Sequence, residues 1–344
     1  MRVAVTGAAG FVGTNLVNQL LTDGHTVVAI DRVAPEPDSA TSATWILTDI
    51  FDTDAMTTAF DGVDTVYHLV AMITLKQRDE LAWRVNTEGV ASVARAALAA
   101  GVRRFVHCSS IHSFDQYTDS GTVDETSARS ADPALPVYDR SKWAGEQELR
   151  AVVADGLDAV ICNPTGVYGP VDHGLSRING MLSDAARGRV PLFVDGTFDL
   201  VDVRDVVLGL IAAGERGVTG ENYLLGGAPV RLFDAMRRVA ELCGRPRPLF
   251  AIPLSVLKMV VPLIEPISQL FGSDLVSKAS ISALEAHPVV DISKATAELG
   301  YQPRSSEQTL ADLVAFLADS GQIGSAKPKS AQSYVPVAPT SAKA

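Results

Sequence analysis

The sequence predicts an α/β fold, a doubly wound parallel sheet with a smaller, mostly helical C-terminal lobe. Three observations carry this. Short apolar runs alternate with amphipathic, helix-like runs over the first two-thirds of the chain. The apolar runs are continuous rather than alternating, the pattern of strands covered on both faces. A glycine-rich turn joins the first strand to the first helix.

Taken in order, Val3–Thr6 reads as a strand, Gly13–Leu21 as a helix and Thr26–Ile30 as the next strand. Strands Thr65–Leu69, Phe105–Ser109 and Ala159–Asn163 follow, separated by helices Glu80–Ala100 and Val137–Val153. The rhythm changes near Val171, where helix Ile178–Arg187 precedes short strands at Pro191–Val194 and Asn222–Leu225. Mostly helical sequence then runs to Leu317. This divides the chain into a domain over 1–170, to which elements near 197–226 return, and an interleaved lobe over 171–319. Residues 320–344 are rich in Ser, Ala, Pro and Lys, carry no acid and read as a disordered tail.

Composition excludes several classes. The 344 residues include 40 acidic against 29 basic ones, a formal charge of −11, which disfavours a nucleic-acid partner. The three cysteines, Cys108, Cys162 and Cys243, form neither a disulfide framework nor a metal site; Cys108 and Cys162 read as buried apolar filler. Met1-Arg2 leads straight into the first strand and leaves no room for a signal peptide, so a cytoplasmic protein is expected. Phe250–Phe271 is apolar enough to resemble a membrane span, but it contains Pro253, Lys258, Pro262, Glu265, Pro266 and Gln269. Charges near mid-bilayer cost several kcal/mol, so the stretch reads as a broken, buried or pocket-lining helical pair, with interfacial membrane contact compatible.

The glycine turn is Thr6-Gly7-Ala8-Ala9-Gly10-Phe11-Val12-Gly13. Glycines there allow a tight turn and close approach of backbone to a pyrophosphate. The N–H groups of Phe11, Val12 and Gly13 open the helix and face the phosphates with its positive end. With a strand before and a helix after, this is a Rossmann-type dinucleotide site. Asp31 ends the next strand, where a carboxylate accepts from the adenosine ribose diol and repels a 2′-phosphate. Arg32 beside it would attract that phosphate. The balance favours NAD(H) and leaves NADP(H) open.

Tyr138-Asp139-Arg140-Ser141-Lys142 opens a helix, and the i, i+4 spacing puts Tyr138 and Lys142 on one face. A phenol is a poor acid at neutral pH unless cations such as the lysine ammonium and an oxidised nicotinamide stabilise the phenolate. Ser110, ending the Phe105–Ser109 strand, is placed to hydrogen-bond a substrate oxygen.

With these motifs in this order, the chain resembles the extended short-chain dehydrogenase/reductase family, within the NAD-dependent epimerase/dehydratase superfamily. The resemblance spans roughly the first 320 residues and rests on Gly7, Gly10 and Gly13, on Asp49-Ile50, on His68-Leu69-Val70-Ala71, and on Val85-Asn86-Thr87-Glu88-Gly89. Cys108-Ser109-Ser110, the Tyr138/Lys142 pair and Asn163-Pro164-Thr165-Gly166-Val167-Tyr168-Gly169-Pro170 complete it. It implies that Asp49 and Ile50 contact adenine, and that Leu69, Val70, Ala71 and Asn86 lie along the cofactor. It also implies that Pro164 and Val167 pass the nicotinamide, that Lys142 holds the nicotinamide ribose, and that Tyr138 exchanges the proton. Ser110, His112 and Asn163 are expected at the substrate. For Asn86 a helix cap serves equally well, His68 reads as a satisfied core histidine, and a loop hydrogen bond accounts for His112 nearly as well.

Two departures indicate the branch. Ser110-Ile111-His112 lacks the two carboxylates of the sugar-nucleotide dehydratases. Where many sugar-nucleotide epimerases carry an arginine on the diphosphate, this chain has Phe198, and Arg204 falls on the following helix. The Asn163–Pro170 segment, Phe193-Val194-Asp195-Gly196 and Glu298-Leu299-Gly300-Tyr301-Gln302-Pro303 look like the dihydroflavonol-reductase-like and 3β-hydroxysteroid-dehydrogenase-like branch. The expectation is therefore an NAD(P)-dependent oxidoreductase interconverting an alcohol and a ketone on a small, apolar substrate, with Ile252–Leu263 lining its pocket, no metal, and a homodimer compatible. A nucleotide-sugar epimerase and a non-catalytic dinucleotide-sensing protein are the alternatives.

Overall fold

The computed structural model describes residues 1–35, 42–116, 121–189, 193–194, 196–246, 248, 251–252 and 289–323. Its main sheet has seven parallel strands: β1 (Arg2–Thr6), β2 (Thr26–Asp31), β3 (Thr44–Leu47), β4 (Thr65–His68), β5 (Arg104–Cys108), β7 (Ala159–Pro164) and β11 (Asn222–Leu225). Their spatial order is β3-β2-β1-β4-β5-β7-β11, so the winding reverses between β1 and β4. In such sheets the crevice at the carboxyl ends of the two reversing strands is the ligand site.

The continuous apolarity of the strands has its reason in the two faces. Val3, Val5, Val27, Ala29, Val106, Cys108, Val160 and Cys162 pack on one side with Leu16 and Leu20 of α1 (Phe11–Thr22), Val206 and Leu210 of α7 (Val203–Arg216), and Leu299 of α9 (Ser293–Leu299). Ala4, Val28, Ile30, Phe105 and Ile161 pack on the other. There they meet Met56 of α2 (Thr53–Ala59), Val90 and Val93 of α4 (Glu88–Ala99), and Leu149 and Val152 of α5 (Val137–Ala154). Adjacent residues of one strand thus enter different cores, and neither can be polar without cost.

The described part of the C-terminal lobe is mostly helical. It contains a three-stranded sheet, β12-β10-β8, built from β8 (Gly166–Tyr168), β10 (Thr197–Asp202) and β12 (Ala228–Arg231). Its core joins Leu182 of α6 (Arg177–Ala186), Met236 and Val239 of α8 (Leu232–Leu242), and Leu313 and Leu317 of α10 (Ser306–Asp319). Two-residue pairings, β6 (Thr122–Val123) with β14 (Val289–Val290) and β9 (Phe193–Val194) with β13 (Ala251–Ile252), complete the set.

Three expectations are corrected. The single helix expected over Glu80–Ala100 is two: α3 (Glu80–Asn86) stops at Thr87, whose φ of −116° and ψ of −76° break the helix before α4. Residues 197–202 do not return to the main sheet but join the small one, whereas 222–225 do return. The tail does not start at Ser320. Ile323 is 2% exposed within the lobe core, and the Gln322 carbonyl accepts from Arg187 Nε at 2.9 Å. Residues 324–344 lie outside the described residues, as does the apolar stretch 250–271 apart from 251–252. Among the described residues no helix is long and apolar enough to cross a membrane.

Candidate active site

The glycine turn sits at the carboxyl end of β1 against the end of β4. Gly7 adopts φ +76°, and a Cβ there would lie 3.1 Å from the Val70 nitrogen. A Cβ on Gly13 would meet the Gly7 carbonyl oxygen at 2.1 Å. These two positions admit only glycine, and the cradle they keep open fits a pyrophosphate. Gly10 precedes α1 without a side-chain cap, so the N–H groups of Phe11, Val12 and Gly13 have no side-chain acceptor and suit phosphate oxygens.

Asp31 ends β2 beside this turn. Its Oδ2 accepts from Ala9 N at 3.0 Å and its Oδ1 from Arg32 N at 2.7 Å and Val33 N at 3.3 Å. The carboxylate therefore braces the glycine turn. The Arg32 side chain is 70% exposed and lies 3.9 Å from Asp49 Oδ2. Asp49 caps its own turn through Phe51 N at 3.0 Å, and Ile50 is buried. Leu69 and Val70 are half-buried at the rim of the crevice, and Ala71 is exposed.

Ser110, His112, Tyr138 and Lys142 come together beyond the carboxyl end of β5. Ser110 caps the short 3-10 turn Ile111–Ser113, its hydroxyl accepting from His112 N at 3.3 Å. Tyr138 and Lys142 face inward from the start of α5, 8% and 2% exposed. Burial pushes the Tyr138 phenol well above its ordinary value, opposed by a hydrogen bond with Ser110. Burial lowers the Lys142 ammonium, which donates to the Cys108 carbonyl at 3.1 Å.

Two of the residues expected at the cofactor or substrate have framework partners. Asn86 does not cap the following helix: its Oδ1 accepts from Met72 N at 2.8 Å, and its Nδ2 donates to Met72 O at 3.0 Å and Ser141 Oγ at 2.9 Å. It stitches the loop after β4 to α5. Asn163 is fully buried, donating to Ser110 O at 3.0 Å, Ser113 Oγ at 3.0 Å and Glu146 Oε1 at 2.8 Å. Pro164 closes β7, and the half-buried Val167 packs on the sheet core. His68 is a core histidine, its Nδ1 2.7 Å from Thr6 Oγ1.

The residue that sequence reasoning missed is Glu146. It is fully buried, and its carboxylate accepts from Ser109 Oγ at 2.6 Å, Asn163 and, at 3.0 Å, Asn222 Nδ2, with Arg129 at 3.4 Å. The i, i+4 rule that pairs Tyr138 with Lys142 also pairs Lys142 with Glu146, and would have found it. Phe198 packs on the lobe core, and the Arg204 guanidinium is held by Asp202 at 2.6 Å and Asp312 at 2.8 Å. No group of three or more potential metal ligands occurs among the described residues.

Comparison with known proteins agrees with this architecture. Residues 3–226 match the model of the NAD dependent epimerase/dehydratase family. The chain is 32% identical to sterol demethylase protein B of Methylococcus capsulatus, over 94% of this chain and 100% of that one. It is 30% identical to a putative dihydroflavonol 4-reductase of Synechocystis, over 93% and 95% respectively. The crystal structure of gox2253 superposes with a TM-score of 0.80 at 31% identity, covering 93% of this chain and 99% of that one. With the family model matching residues 3–226 and a relative 32% identical over 94% of this chain, the chain belongs to the NAD dependent epimerase/dehydratase family.

Proposed function

We propose that the protein is an NAD(P)-dependent oxidoreductase that interconverts an alcohol and a ketone on a small, apolar substrate. The observation that carries this reading is the meeting of Ser110, Tyr138 and Lys142 beside the glycine cradle. A nicotinamide bound there would supply or take the hydride. Ser110 orients the carbonyl oxygen, Tyr138 gives it a proton in reduction, and Lys142 places positive charge behind the phenol. The naming of relatives after a sterol demethylase and a dihydroflavonol reductase supports an apolar substrate. The epimerase reading is weakened because Phe198 offers a diphosphate no donor and Arg204 is already engaged by two carboxylates. A panel of ketones with NADH or NADPH tests the proposal. Turnover is expected with at least one apolar ketone and its loss by about 10²–10⁴-fold in Tyr138→Phe. Low-micromolar binding of a nucleotide sugar, with no ketone reduced, would overturn it.

A further inference from the structure

A phenol that gives up a proton at each turnover must be resupplied from water. Lys142 donates to the Cys108 carbonyl. Near it lie His68 and His107, both fully buried and both held neutral by burial and by the ammonium itself. His68 Nε2 and His107 Nδ1 have no hydrogen-bond partner among the described residues. Glu146 is tied up by Ser109, Asn163, Asn222 and Arg129.

The open side differs. The His112 ring stands edge-on to the Tyr138 ring, centroids 5.2 Å apart and planes at 62°. Its Nδ1 lies 2.7 Å from Asp139 Oδ1 and 3.2 Å from Gln116 Nε2. The His112 side chain is 36% exposed while that of Asp139 is only 8% exposed. Both of these contacts are made by Nδ1, which leaves Nε2 as the nitrogen for exchange.

We propose that His112, oriented by Asp139, passes protons between the Tyr138 phenol and water. This rests on the reading of Tyr138 as the acid. In ketone reduction the Tyr138 O–H bond breaks and its proton forms the O–H bond of the product alcohol. The phenolate then takes the Nε2 proton of the His112 imidazolium, directly or across one water. The neutral ring recovers a proton from bulk water, so one proton of water is consumed per ketone reduced. Oxidation runs the same path backwards.

The test is rapid-mixing kinetics of ketone reduction by the full-length chain, using the ketone from the panel that reacts fastest with NADH. His112→Ala is expected to complete its first turnover near the wild-type rate, because the phenol already carries that proton, and then to slow by about tenfold or more. Added imidazole should restore the later turnovers without changing KM. His112→Gln, which keeps an amide donor for Asp139, should show the same burst and slow phase. Steady turnover at the wild-type rate in both variants, or a loss that affects the first turnover equally and ignores imidazole, would overturn the proposal. Activity surviving in Tyr138→Phe would instead overturn the reading of the site itself.

Discussion

Ser109, not the adjacent Ser110, gives its hydroxyl to the Glu146 carboxylate, at 2.6 Å. Beyond the end of β5 the two serines diverge: one anchors in the protein interior, the other meets the phenol of Tyr138. Glu146 Oε1 also accepts from Asn163, whose amide in turn donates to the Ser110 carbonyl. The position of Ser110 is therefore set from below by a fully buried carboxylate.

Removal of that carboxylate should be costly. Glu146→Ala removes one acceptor from two buried amides, a hydroxyl and Arg129, and breaking a buried charged pair costs about 3–5 kcal/mol. Glu146→Gln keeps the shape but turns an acceptor into a donor, for about 1–3 kcal/mol. Urea unfolding of both variants checks the order; equal stability with wild type would show that the network relaxes around the loss.

Acid should unfold the protein through its buried histidines. His68 is pushed down to about 3 and His107 also well below its ordinary value, both by burial first. The unfolded chain binds protons at these rings as pH falls below about 6.5 and the folded chain does not, so stability is full above that pH and declines below it. Each ring contributes a slope of about 1.4 kcal/mol per pH unit. His68→Gln should lower the slope between about pH 6.5 and 5 by one ring's share, measured as unfolding free energy across that window. An unaltered slope would mean that His68 takes up a proton in the fold.

Truncation should discriminate between Asp319 and Ile323 as end points. Ile323 is 2% exposed, and burying such a side chain contributes about 1.5–3 kcal/mol. At about 2–4 °C per kcal/mol for a large domain, ending the chain at Asp319 should lower Tm by several degrees. Ending it after Ile323 should leave the described packing intact. Thermal unfolding of the two truncated chains decides the matter.

Cofactor preference should follow Asp31, with a complication visible only in the fold. The carboxylate also holds the Ala9 N–H of the phosphate turn. Asp31→Ala is therefore expected to shift the kcat/KM ratio towards NADP(H) by about tenfold, roughly 1.4 kcal/mol of lost repulsion. It should also lower kcat/KM for NAD(H) outright. A wild type that prefers NADPH and loses that preference in Arg32→Ala would reverse the ranking of the two residues.

The sheet, the glycine turn and the Tyr138/Lys142 face were legible because each depends on local chemistry: apolar runs, glycine sterics and helical spacing. The helix break at Thr87 was not, since it is held by Asn86 reaching back to Met72 across a loop. The roles of Asn163 and Asn222 were hidden for the same reason. Asn163 looks like a ligand contact in sequence, but its partners come from residues far apart in the chain, and only the packed sheet brings Glu146 between them. Strands β10 and β12 escaped because their small sheet is paired largely within the lobe and carries little uninterrupted apolar sequence.

The lateness of the lobe's last contacts bears on how the chain emerges from a ribosome. The phosphate turn, the crevice and α5 are complete once β7 has been made, whereas one face of the main sheet waits for Val206, Leu210 and Leu299, and the lobe core for Leu313, Leu317 and Ile323. Domains fold as units during synthesis, from the N-terminus onward. A nascent or prematurely terminated chain would thus carry a formed glycine turn on a half-covered sheet, with Val106 and Val160 bare on the unfinished face. Translation of the remaining chain closes that surface, so each residue made after β7 shortens the time for which an exposed apolar face can aggregate.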